Sequence, residues 1–174
     1  MASKLLGVVG IFIMANYAAG NGQCVASIRG TPRPRCPPTW SQWRDKCYKV
    51  HDADVTWEEG MQQCVELGGV MVVTQSKEEL QHLLKMCSCD RYWIGCNDIQ
   101  TEGTWVCLGE GTIGVDDKRW YVTQPNNQFG DQSCVEVFVY PRGGTSAGWH
   151  DRECHLPRKL ICQRPTVSSA MLHM

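Results

Sequence analysis

Eleven cysteines in a chain of 174 residues constrain its fold more than any other feature. They follow a targeting segment, in which Lys4 gives a positive start, Leu5 to Met14 an apolar stretch, and Ala18-Ala19-Gly20 small residues for cleavage. Residues 1–20 therefore read as a signal peptide. The cysteines then belong to an oxidising compartment, and a secreted, extracellular protein on a disulfide framework is expected. The apolar stretch is about ten residues, against roughly 20 needed to cross a bilayer, and no later stretch is long enough, so no membrane span is expected. Losing Lys4 from 17 basic and 18 acidic residues leaves a net charge of about −2. Without a concentrated basic face, the balance argues against nucleic acid as the main partner.

Residues 21–35 form a Pro- and Arg-containing arm, expected to be extended, and residues 165–174 a loose tail. The roughly 130 residues between them, 36–164, suit one domain with its own core. Thr56-Trp57-Glu58-Glu59 is a capping box opening a helix with Met61, Cys64, Val65 and Leu67 on one face, stopped at Gly68-Gly69. Ser76-Lys77-Glu78-Glu79 opens a second helix carrying Leu80, Leu83 and Leu84, with Val70 to Val73 a short strand between the two. Tyr92 to Gly95 and Thr104 to Cys107 read as paired strands, Val135 to Tyr140 as a central strand, and Leu160 to Cys162 as a last one. Two helices followed by several short strands indicate the α+β class.

From Leu108 to Gly130 the chain is rich in Gly, Asp, Asn and Gln, and a segment that long without periodic structure is usually functional. It contains Gln124-Pro125-Asn126, whose amide oxygens, joined by the carboxylate of Trp149-His150-Asp151, would suit a hard cation such as calcium. The same groups can hydrogen-bond sugar hydroxyls.

From Cys36 to Arg164 the chain resembles the C-type lectin-like domain in its long form. The resemblance rests on ordered motifs. Cys36-Pro37-Pro38-Thr39-Trp40 to Cys47-Tyr48 is similar to the opening hairpin, Thr56 to Cys64 to the first helix, and Trp93-Ile94-Gly95 to a core strand. Trp120, Gln124-Pro125-Asn126, Cys134, Trp149-His150-Asp151, Cys154 and Cys162 then follow at the family spacing. The resemblance implies two helices packed on short antiparallel sheets, a long disulfide-anchored binding loop, and the bridges Cys36–Cys47, Cys64–Cys162 and Cys134–Cys154. Cys96 and Cys107 replace core residues of neighbouring strands, which suggests Cys96–Cys107 as a fourth bridge. Cys24, Cys87 and Cys89 are left as an odd set, inviting a disulfide-linked homo-oligomer. A Cys87–Cys89 bridge is expected to be disfavoured by closeness in sequence.

Carried over residue by residue, the resemblance implies a calcium site drawing on Gln124, Asn126, Asp131 or Gln132, His150 and Asp151, and a second drawing on Asp98 and Glu102 with Asn127 nearby. Both are short of negative charge, and imidazole nitrogen is a poor ligand for a hard cation, so any affinity for calcium is expected at the weak end. The implied sugar-binding set is Gln124, Asn126, Asp131, Gln132, His150 and Asp151. Phe129 would either stack on a sugar face or anchor the loop to the core. Gln-Pro-Asn is neither of the family's two usual tripeptides, and its leading glutamine leans toward galactose-type ligands. His150 would tie binding to pH near 6–7, unless it is an idle turn residue.

The expected function is a carbohydrate-binding lectin, calcium-assisted, with glycans as partners and a place in innate defence. The alternative is a calcium-independent module for a protein, mineral or ice surface, since one scaffold hosts many ligands. No nucleophile and base fall at usable spacing, so an enzyme is not expected.

Overall fold

The computed structural model describes residues 34–140 and 146–167. The leader, nearly all of the arm with Cys24, and the end of the tail lie outside the described residues. The chain opens with a hairpin of β1 (Ser41–Trp43) and β2 (Lys46–Val55), followed by helix α1 (Trp57–Glu66), β3 (Val70–Met71) and helix α2 (Lys77–Cys87). Strands β4 (Arg91–Asn97), β5 (Trp105–Cys107), β6 (Gly111–Ile113), β7 (Cys134–Val139), β8 (Ala147–Arg152) and β9 (Arg158–Pro165) complete it. They join in the order β1-β2-β9-β4-β5-β6, with β3 on β9, and β7 and β8 running off β4. The β4–β9 pair is parallel and every other pair is antiparallel. The architecture is the expected α+β fold.

Local chemistry sets the helix limits. Thr56 accepts from the Glu59 amide while the Glu59 carboxylate accepts from the Thr56 amide, a complete capping box. At the other end Gly68, at φ 73°, donates to Val65 O and Gly69 to Cys64 O, a Schellman closure that needs the left-handed residue. The buried face of α1 is Trp57, Gly60 and Cys64, one turn and then two along the helix. Val65, expected on that face, points to solvent at 64 % exposure, because it falls about a hundred degrees round from Cys64. In α2 the Ser76 side chain accepts from the Glu79 amide. The Glu79 carboxylate, however, turns inward to Lys46 Nζ, the Tyr48 hydroxyl and the Gln75 amide, tying α2 to β2.

Trp93, Trp105 and Trp120 are buried as expected, and Trp149 joins them, its indole N–H donating to Thr74 Oγ1 at 3.0 Å. Trp40 is only half-buried, under the Arg164 guanidinium. The bridges Cys36–Cys47, Cys64–Cys162, Cys134–Cys154 and Cys96–Cys107 are all present. Cys87 and Cys89 also pair, against expectation: their Cα atoms stand 5.1 Å apart, within disulfide reach, because Ser88 between them turns the chain through the left-handed region. They are therefore unavailable for the interchain bond expected of them. The tail is tied down at its start, since Thr166 donates to Asp45 O and Val167 pairs with Arg35.

Candidate functional site

A single buried carboxylate organises the long loop. Asp151 lies on β8 at 1 % exposure, two residues beyond Trp149. Its Oδ1 and Oδ2 accept from the Asn126 amide at 3.1 and 3.0 Å, and Oδ2 also accepts from the Asn127 amide at 2.5 Å. The Gln124–Pro125 peptide between Thr123 and this pair is cis. Asn126 Oδ1 and Gln132 Oε1 both accept from the Gln128 amide, at 2.9 and 2.8 Å, closing the loop on itself. The Cys134–Cys154 bridge and the Cys134–Arg152 register of β7 and β8 hold the two sides together.

Asn127 joins this set to the second. Its Oδ1 accepts from the Gln132 amide at 3.1 Å and its Nδ2 donates to Glu102 Oε1 at 2.6 Å. Asp98, at 2 % exposure, accepts from the Gly103 amide at 2.8 Å through Oδ2. Asn126, Gln132, Asp151, Asn127 and Glu102 thus form one connected network, with Gln124 beside it in the chain and outside its hydrogen bonds, and Asp98 at the base of the turn that carries Glu102. Asp131 is exposed and outside the network. Phe129, at 86 % exposure and φ 76°, does not anchor the loop to the core.

His150 stands apart from the network. It sits on a strand, not in a turn, and is 7 % exposed. Its ring packs among Tyr121, Phe138 and Tyr140, with Nε2 2.7 Å from the Tyr140 hydroxyl. Burial, with Arg152 nearby, lowers its pKa from 6.5 to about 4. The expected titration near pH 6–7 is therefore absent. This aromatic face was not foreseen; alternation along β7 signals it, because Phe138 and Tyr140 share a face with Glu136, which pairs with His150.

The oxygens present suit calcium in kind. Gln124 Oε1 and Asp98 Oδ1 are buried without a hydrogen-bond partner, as unfilled ligand positions would be. They fall short in charge: no three His, Cys, Asp or Glu side chains gather into a metal-holding group among the described residues. A calcium ion held here would draw its oxygens from Gln124, Asn126 and Asp151, and a second from Asp98, Glu102 and Asn127.

Residues 53–164 match the family model for the lectin C-type domain. The chain belongs to the C-type lectin domain family. A curated C-type relative, C-type lectin domain family 4 member M of Nomascus concolor, is 31 % identical over 136 residues, covering 76 % of this chain and 32 % of that protein. The CD209 antigen of Gorilla gorilla gorilla is 30 % identical over 137 residues, covering 77 % and 30 %. The chain thus spans about a third of the length of these relatives. Among solved structures, the mouse scavenger receptor C-type lectin carbohydrate-recognition domain superposes with TM-score 0.65 at 25 % identity, over 76 % of this chain and 100 % of that one. The cow CD23 domain, determined in the presence of a GlcNAc2Man3 oligosaccharide, gives TM-score 0.65 at 25 % identity over 77 % and 98 %. A calcium-independent type II antifreeze protein shares the fold, with TM-score 0.65 at 23 % identity over 77 % and 97 %.

Proposed function

We propose that this C-type lectin domain is a secreted carbohydrate-binding module, not a catalyst, that takes glycans through the Gln124–Asp151 loop with calcium assisting. The observation that carries this reading is the network in which Asp151 fixes the amides of Asn126 and Asn127 while Gln124 Oε1 lies buried with no partner. Gln124, Asn126 and Asp151 would hold the ion, which supplies a positive centre that vicinal hydroxyls can coordinate. The amides of Gln124 and Asn126 offer both donors and acceptors to those hydroxyls, while Phe129 presents a free ring for the apolar face of a sugar. The leading glutamine favours galactose-type ligands. Single sites of this kind are weak, so a role in innate defence would draw on several copies acting together, for which Cys24 is a candidate crosslink.

A calcium-independent reading, binding a protein, mineral or ice surface, has one observation in its favour. The Asp151 carboxylate is already satisfied by loop amides, so the loop holds its shape without an ion. Retention on galactose and mannose matrices, with millimolar calcium and then with chelator, separates the two. Binding in calcium with release by chelator supports the lectin; failure to bind any sugar matrix in calcium overturns it.

A further inference from the structure

A second concavity lies away from the loop network, between α2 and the segment 118–122. It is a cleft of about 970 Å³, at the upper end of the range for small-molecule sites. Its apolar wall is Leu80 and Leu84 of α2, Val122, and Val139 and Ala147 of the β7–β8 hairpin, with the edges of Trp120 and Trp149 behind. The leucines are one turn apart on a helix face that packs only partly against the core. Nothing else among the described residues covers it.

The polar part of the wall is one-sided in charge. Lys77, Lys118 and Arg119 line the cleft, and no aspartate or glutamate does. Arg119 is already committed: it donates to Glu110 and Asp117, holding both carboxyls below their usual range, and lies over the Trp149 ring. Lys77 and Lys118 have no ion-pair partner among the described residues and are exposed at the edge. One more group in the wall lacks a partner: Trp120 is 8 % exposed, and its indole N–H is buried without an acceptor. Leaving such a donor unpaired is costly unless a ligand supplies the acceptor.

We propose that this cleft binds an anionic amphiphile: an apolar chain lies along Leu80, Leu84 and Val139, and a carboxylate or phosphate head is met by Lys77 and Lys118. An apolar wall explains the chain, two cations without an ion-pair partner among the described residues, in a lining that holds no acid, explain the sign of the head, and the Trp120 N–H offers a fixed donor. The site is separate from the sugar reading and stands or falls without it.

The test uses the whole secreted chain and tryptophan fluorescence, because Trp120 and Trp149 line the cleft. Decanoate is titrated below its micelle concentration, beside decanol and butyrate, and anionic phosphatidylglycerol vesicles are assayed by co-sedimentation. Decanoate is expected to saturate the signal, decanol to bind about tenfold more weakly, and butyrate not to bind. Lys77→Glu with Lys118→Glu should weaken decanoate by about tenfold while leaving decanol unchanged. Leu84→Asp should abolish both. Vesicle binding lost in the same variants would assign the source to a lipid surface, and its absence to a free acid. Both results support the anionic-amphiphile site. No saturable decanoate signal, or equal affinity of the double lysine variant and the parent, would overturn it. Near-UV circular dichroism is measured on each variant; an unchanged spectrum reports that the domain is folded should Leu84→Asp fail to bind.

Discussion

The two ends of the domain are held by different forces. Beneath α1, Trp93, Met71, Leu160 and the Cys64–Cys162 bridge form the centre of a buried apolar cluster. The long loop has no such cluster. Its Gln124–Gln132 stretch contains no buried hydrophobic residue, and its shape is fixed by hydrogen bonds that converge on Asp151, Asn127 and Gln132. A packed core tolerates change at its edges because its contacts are many and nondirectional. A loop hung on one carboxylate concentrates its stability, and its function, in very few atoms.

The contrast can be broken or sharpened by substitution. Replacing Cys64 and Cys162 together by alanine should cost about 4 kcal/mol in a denaturant melt, since the bridge closes a loop of sequence separation 98. The loop should stay ordered in whatever fraction remains folded. Asp151→Ala removes the acceptor of three loop hydrogen bonds. It should cost about 2–3 kcal/mol, and should also abolish retention on sugar matrices. If that variant kept sugar binding, the loop would be held by something other than Asp151.

His150 supplies a test by pH. Its folded pKa of about 4 lies below the ordinary 6.5, so between those values the unfolded chain takes up the proton that the folded chain refuses. Stability should therefore fall as pH drops from about 6.5 to about 4, by about 3 kcal/mol, and little further below that from this group. His150→Phe should lose less stability than the parent over the same window; equal slopes for the two would contradict the assignment. Thr56→Ala removes one half of the α1 capping box and should cost about 1 kcal/mol, again in a denaturant melt. Phe129→Ala should change stability by less than about 0.5 kcal/mol because the ring is in solvent. It should weaken binding to a galactose matrix, and unchanged retention would leave the ring without a role in sugar contact.

The same contrast explains what could be read in the sequence. Helix limits were legible because Thr56, Ser76 and Gly68 each act within a turn of their own position. The pairing of Cys96 with Cys107 was legible through the family resemblance, which puts both at core positions of neighbouring strands, and the structure sets them opposite each other on β4 and β5. The Cys87–Cys89 bridge was not, since it depends on the left-handed conformation of Ser88, which no neighbouring residue announces. In the loop, the residue types were legible and their partners were not. Nothing local to Asn127 reveals that it bridges Glu102 and Gln132, or to His150 that it turns into an aromatic face away from Asp151. Those outcomes depend on which strand lies alongside, a long-range fact of the fold. The cleft beside α2 is legible from neither end, because its walls come from four separated stretches of chain.

Backbone amide NMR during titration with galactose, and in parallel with mannose, in millimolar calcium tests the central claim most directly. Saturable shifts concentrated between Gln124 and Gln132 and at Asp151 are expected, and they should vanish in Asp151→Ala and on chelation of calcium. Saturable shifts confined to other parts of the domain, or no shifts with either sugar, would contradict it.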